Sequence, residues 1–201
     1  MHSKSGPTLP PIARAAIAQA LGHAHPVDSS AHWLQQHGAT FVTLMLHGQL
    51  HGCIGTLQAW RPLAEDVQAN AVAAALRDPR FAPLTAAQLD QTQISVSLLS
   101  PMQALSFHSQ ADALAQLRPG IDGIVLQFDG HRGTFLPQVW EQLPTADRFM
   151  SQLKHKAGLP ADFWSDRIQL QRYSVTKWEE SDAPASGARP TADSTGIGAD
   201  Q

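Results

Sequence analysis

Residues 41–56, FVTLMLHGQLHGCIGT, constrain the fold more than any other stretch of the chain. Two short apolar runs, 41–46 and 50–56, flank His47-Gly48-Gln49. A connection this short that carries a glycine is hairpin geometry, because glycine supplies the positive φ a tight loop needs. The pattern recurs downstream, where residues 121–128 (IDGIVLQF) lead through Asp129-Gly130 toward Thr134, Phe135 and Leu136. Strands joined in this way are antiparallel, whereas a parallel sheet needs a crossover helix between successive strands.

Single helices separate the strand runs. Pro10-Pro11 opens a helix over 12–21, proline being tolerated where its missing N–H has no partner. Pro62 opens a second, with Glu65 and Asp66 placed to complement the positive end of its macrodipole. The alanines at 69, 71, 73, 74 and 75 let this helix lie close against its neighbour, while Leu63, Val67 and Leu76 anchor it. Thr85 with Gln88 forms a capping box, and Ser109 with Asp112 caps a further short helix. Phe149, Met150, Leu153 and Ala157 share one helical face, with Gly158 as the stop. Residues 93–99 alternate as a strand, and 168–178 read as a closing strand whose two halves alternate out of phase, which predicts a bulge or bend near Arg172. The sum is an α+β fold: a largely antiparallel sheet flanked by helices.

With 43% hydrophobic residues, 201 residues suffice for a full core. Residues 181–201 carry one large apolar side chain, Ile197, and are expected to be a disordered tail; residues 1–9 are expected to be a flexible N-terminus. The folded domain then spans 10–180. Of 17 acidic and 14 basic residues, five acidic and one basic lie beyond Trp178, which leaves 13 basic against 12 acidic before it. That near-neutral balance speaks against a nucleic-acid footprint, so no nucleic-acid partner is expected. No apolar run is long enough for a membrane span or a signal segment, and a single cysteine suits a reducing compartment, so the expected location is the cytoplasm.

The dinucleotide, P-loop, hydrolase-elbow and zincin motifs are all missing, and no cofactor is called for. His23-x-His25 and the pair His47 and His51 do not complete a tetrahedral set, so no metal site is expected. Chemistry concentrates instead on LHGCIGT, residues 50–56, which holds the sole cysteine. In an extended strand His51 and Cys53 share a face, roughly 6.5–7 Å apart at Cα. A basic neighbour favours the thiolate, the form that acts as nucleophile. Gly52 and Gly55 clear space for a ligand or a second backbone near the sulfur. Arg80, in RDPRF at 77–81, is a candidate anion anchor, and Gln138 a candidate partner for a ligand amide.

LHGCIG resembles the LRGCIG signature of the AMMECR-type domain family, the A component of AmmeMemoRadiSam systems. FVTL at 41–44, RDPRF at 77–81, ISVSLLS at 94–100, GIDGIVL at 120–126, TFLPQVW at 134–140, KAGLP at 156–160 and RYSVTKWEE at 172–180 match the same family in order. The resemblance implies a larger and a smaller lobe with the signature near the groove between them. It also implies a Memo-like protein and a radical SAM enzyme as partners acting on an unidentified small or peptide-like ligand, with no settled reaction. The leading expectation is that a small or peptide-like ligand binds in the inter-lobe groove, with thiol chemistry at Cys53 and His51 as its modulator; a non-catalytic partner module that docks those proteins through the groove, with a buried inert cysteine, is the alternative. The signature has arginine where this chain has His51, a change from a fixed cation with a rigid fork of donors to a side chain mostly neutral at pH 7.

Overall fold

A computed structural model describes residues 6–23 and 26–180. The expected tail at 181–201, the first five residues of the expected flexible N-terminus and His25 lie outside the described residues. The fold is α+β. Among the described residues, helices α1 (Leu9–Ala20), α2 (Leu63–Leu76), α3 (Ala86–Leu89), α4 (Gln110–Ala115) and α5 (Ala146–Lys156) accompany eight strands. These are β1 (Thr40–Leu46), β2 (Gln49–Gly55), β3 (Thr92–Leu99), β4 (Gln103–Ala104), β5 (Gly123–Phe128), β6 (His131–Phe135), β7 (Gln169–Tyr173) and β8 (Val175–Glu179). Every strand pairing is antiparallel, and the strands form two four-stranded sheets, β2-β1-β3-β8 and β4-β7-β5-β6.

Both hairpins are tighter than the sequence suggests. His47 and Gly48 have φ of 51° and 76°, and Asp129 and Gly130 have 46° and 85°, so each pair is a two-residue turn with both central residues left-handed. That turn matches the right-handed strand twist, and this is why Gln49 pairs with Leu46 as a strand residue. The expected closing strand over 168–178 is in fact two strands broken at Ser174. β7 pairs with β5 in the second sheet and β8 with β3 in the first. The change of phase near Arg172 therefore marks a switch between sheets, with no bulge required.

Around the first sheet, α1 and α2 cover one face. Val42, Leu44, Ile94 and Val96 point into a cluster with Leu9, Ile12, Ile17 and Val67. Full burial of each such side chain contributes about 1.5–3 kcal/mol. The alanine face of α2 does what its small side chains permit, with Ala71, Ala74 and Ala75 all buried against the sheet. Asp66 departs from its expected role at the helix dipole. It is fully buried and accepts hydrogen bonds from Thr40 N (2.8 Å), Thr40 Oγ1 (2.7 Å), Thr56 Oγ1 (2.8 Å), Arg61 Nε (2.8 Å) and Asn70 Nδ2 (2.9 Å). Because a buried carboxylate persists only when fully partnered, this cluster fixes the start of α2 against the start of β1 and the end of β2.

The second lobe packs α4 and α5 on the other sheet. Phe149 stacks under Trp140 at 3.8 Å between ring centres, and the indole N–H donates to Asp122 O at 2.7 Å. Gly158, with φ of 80°, follows α5 as expected. Ser109 accepts from Asp112 N at 3.1 Å, closing the α4 cap. Ser109→Ala is expected to lower stability by about 1 kcal/mol in urea unfolding, with Ser109→Asp restoring most of it. A third cluster, formed by Ala39, Leu99, Val125 and Tyr173, joins the lobes.

Candidate functional site

Cys53 lies on β2, an edge strand of the first sheet, on the face turned away from α1 and α2. It is half-buried. Its strand partner Thr43 donates from Oγ1 to the sulfur at 3.4 Å. The same cross-strand register continues through Ser95 to Glu179, so Cys53, Thr43, Ser95 and Glu179 form one row across the sheet. In the neighbouring row stand Phe41, Ser97 and Lys177. Ser95 and Ser97 are buried, and among the described residues their hydroxyls make no hydrogen bond. These hydroxyls, with Thr43, Lys177 and Glu179 in the same rows, make this face of the sheet polar.

The backbone of Cys53 is held from its outer side. Its N–H donates to Asp78 Oδ2 at 2.9 Å, and its carbonyl accepts from Arg80 Nη2 at 3.0 Å. Arg80 returns to Asp78 through Nε (2.9 Å) and Nη2 (2.7 Å). Asp78 and Arg80 thus occupy the hydrogen-bonding positions that a neighbouring strand would take, which closes the open edge at the cysteine. Asp78 is sealed, its side chain 1% exposed, while that of Arg80 is 54% exposed. The hydrogen bonds from the Arg80 guanidinium, followed by those from the Cys53 and Arg80 N–H groups, hold the Asp78 carboxyl well below the usual carboxylate range against the opposing effect of burial. Arg80 is raised in turn, first by its hydrogen bonds to Asp78, with a smaller contribution from the charge of Cys53.

His51 is placed differently from its expected role. Leu44 pairs with Gly52 and Met45 with Leu50, which makes His51 the extra residue of a β-bulge. A bulge breaks strict alternation and re-aims its side chain. The imidazole stacks on Phe81 with ring centres 6.0 Å apart and planes at 27°, its Nε2 is buried without a hydrogen-bond partner, and it makes no hydrogen bond to the sulfur. The two glycines expected to line a ligand site serve packing. A Cβ on Gly52 would stand 2.1 Å from Ala74 O in α2, and one on Gly55 would stand 2.3 Å from the Phe41 ring and 2.4 Å from Thr40 O. A second backbone does approach Gly52, and it is that of α2.

Gln138 is not brought to Cys53. It lines a cavity of ≈ 440 Å³ with Trp140, Val175 and Lys177, at the β8 edge. Strand spacing separates that edge from β2 by roughly 14 Å. Cavities of ≈ 870 and ≈ 530 Å³ do not include Cys53 either. The site is a shallow polar face with a fixed thiol at one edge.

The model of the family described as AMMECR1 matches residues 10–178. The chain belongs to the AMMECR1 family. A protein of Methanothermobacter thermautotrophicus is 34% identical over 184 residues, covering 87% of this chain and 94% of that protein. A Thermotoga maritima protein is 33% identical, with 72% and 79% covered. The crystal structure of the uncharacterized protein PH0010 from Pyrococcus horikoshii superimposes with a TM-score of 0.77 at 27% identity, covering 87% of this chain and 90% of that one. In this AMMECR1-family chain the residue that completes the site and was not singled out as functional from sequence is Asp78. Its position directly before Pro79, two residues from Arg80, reads as a helix stop, and only the approach of β2 reveals what it holds.

Proposed function

We propose that this AMMECR1-family protein binds a small or peptide-like ligand over the open polar face of its first sheet and that Cys53 takes part there in thiol-dependent chemistry. The observation that carries this reading is the double clamp on Cys53: both backbone groups are fixed by an ion pair while the half-buried thiol accepts a hydrogen bond from Thr43. Preorganisation of a reactive group by its support is what a site requires. Arg80 takes over the modulating role expected of His51, and its exposed guanidinium is placed to meet an anionic group of the ligand. A cytoplasmic location, supported by the single cysteine, and joint work with a Memo-like protein and a radical SAM enzyme belong to the same proposal. Among the described residues no helix is long and apolar enough to cross a membrane.

Cys53 is the only thiol, so iodoacetamide reports on it alone. Native protein at pH 7.5 is expected to label without denaturant. Arg80→Ala is expected to slow labelling about threefold, as loss of one partly screened cation beside a thiolate should. His51→Ala is expected to leave the rate within a factor of two of wild type. If labelling begins only in urea, the thiol is inert and the docking reading replaces this one. That second reading has its own support in Trp60, an indole 63% exposed beside Arg61, the residue types that anchor protein interfaces. Gel filtration with a Memo-like protein and a radical SAM enzyme tests the partnership directly: no shared peak at micromolar concentration would remove it.

A further inference from the structure

The cavity of ≈ 870 Å³ lies away from Cys53 at the junction of the lobes. Its bed is apolar, formed by Leu63, Leu98 and Trp178, with Trp33 at the side. No Lys, Arg, Asp or Glu is among the described residues that line it. The polar groups it offers are mainly carboxamides: Gln36 and Gln58 from the first lobe and Gln171 from β7 of the second. None of these three side chains makes a hydrogen bond among the described residues, whereas the Ser100 hydroxyl is already engaged with Pro101 O and Ser174 N. A carboxamide presents one acceptor and two donor hydrogens with no charge, which complements another amide-like edge. The volume falls in the range of small-molecule sites, which are apolar clefts with a few convergent polar groups. The remaining ionisable side chain in the lining is His37.

We propose that this inter-lobe cavity is a second binding site, separate from the thiol face, and that it takes an uncharged planar heterocycle with an amide edge, of the nucleobase or lactam type. The ring system lies on the bed of Leu98 and Trp178, and the amide edge meets Gln58 and Gln171. A charged ligand is disfavoured because the lining has no counter-ion to offset its desolvation. Because Gln171 comes from the second lobe and Leu63 and Trp178 from the first, occupancy holds the lobes together.

Lumichrome, a neutral fluorescent heterocycle with a pyrimidinedione edge, is a suitable probe. Fluorescence anisotropy of lumichrome titrated with the full chain is expected to saturate with a Kd of about 100 µM or tighter. Ala59→Phe fills the cavity from an exposed position that the fold does not depend on, and Gln171→Leu removes one amide; each is expected to weaken binding about tenfold. Anthraquinone-2-sulfonate, flat but anionic, is expected to bind at least about tenfold more weakly. Alkylation of Cys53 is expected to leave the lumichrome Kd unchanged. No saturation, equal binding by both variants, equal binding of the sulfonate, or loss of binding on alkylation would each overturn the assignment.

Discussion

Gly52→Ala is expected to cost about 3 kcal/mol or more of folding stability and to raise the temperature sensitivity of the chain sharply. The added Cβ would sit 2.1 Å from Ala74 O and 2.9 Å from Ala74 C, both backbone atoms of α2. No rotamer change relieves a clash between two backbones; the helix must move. That movement reaches Ala71 and Ala75 against the sheet, and the Asp66 cluster that fixes the start of α2. Urea unfolding of Gly52→Ala beside Gly48→Ala separates this from a loss of glycine flexibility, because a Cβ on Gly48 meets nothing within 4 Å and pays only for its left-handed φ of 76°. The expected order is a small loss at 48, about 1 kcal/mol, and a large one at 52. Equal losses would mean that close packing of α2 on β2 is not what the glycine is for.

Asp78→Ala is the second large effect, about 2–3 kcal/mol at neutral pH. It leaves the Cys53 N–H without its acceptor and Arg80 without its partner. The estimate sits at the lower end for a broken buried pair because half of the Arg80 side chain reaches water and recovers solvation. The pH dependence has a definite sign. The carboxyl of Asp78 is depressed in the folded state, so its contribution is fully present above its unfolded value of about 3.9 and is lost as pH falls through the folded value. The stability gap between wild type and Asp78→Asn is therefore expected to be constant from pH 5 to 7 and to shrink below about pH 4. Near-UV circular dichroism in urea at several pH values measures it. A gap that stays level down to pH 2 would show that the carboxylate charge contributes nothing. Alkylation of Cys53 in Asp78→Asn gives the functional counterpart, since release of the clamp frees the strand that presents the thiol.

These variants act at a place where local and tertiary information divide. The hairpins at His47-Gly48 and Asp129-Gly130 were legible because turn residues and apolar runs are both local. So were the alanine face of α2 and the stop at Gly158. The role of Arg80 was half legible: a charged residue near a helix end reads equally as a surface ion pair, and its bond to the Cys53 carbonyl spans 27 positions. The bulge at His51 was not legible, because it depends on how β2 registers against β1, and alternation along one strand carries no information about its partner. The phase change before Val175 read as a bulge or bend within one strand, and only the positions of β3 and β5 show that it is a change of sheet.

By itself the sequence determined the α+β class, the antiparallel pairing through its turns and the AMMECR-type resemblance. Those follow from periodicity, turn residues and motif order, which are properties of neighbouring positions. The tertiary structure decided that Gly52 makes room for a helix, that Asp78 and Arg80 hold the backbone of the cysteine, and that a cavity of ≈ 870 Å³ lies away from it. Each of these depends on which distant backbone arrives beside a given residue, and the physical reason is that close packing and hydrogen-bond satisfaction are settled between elements.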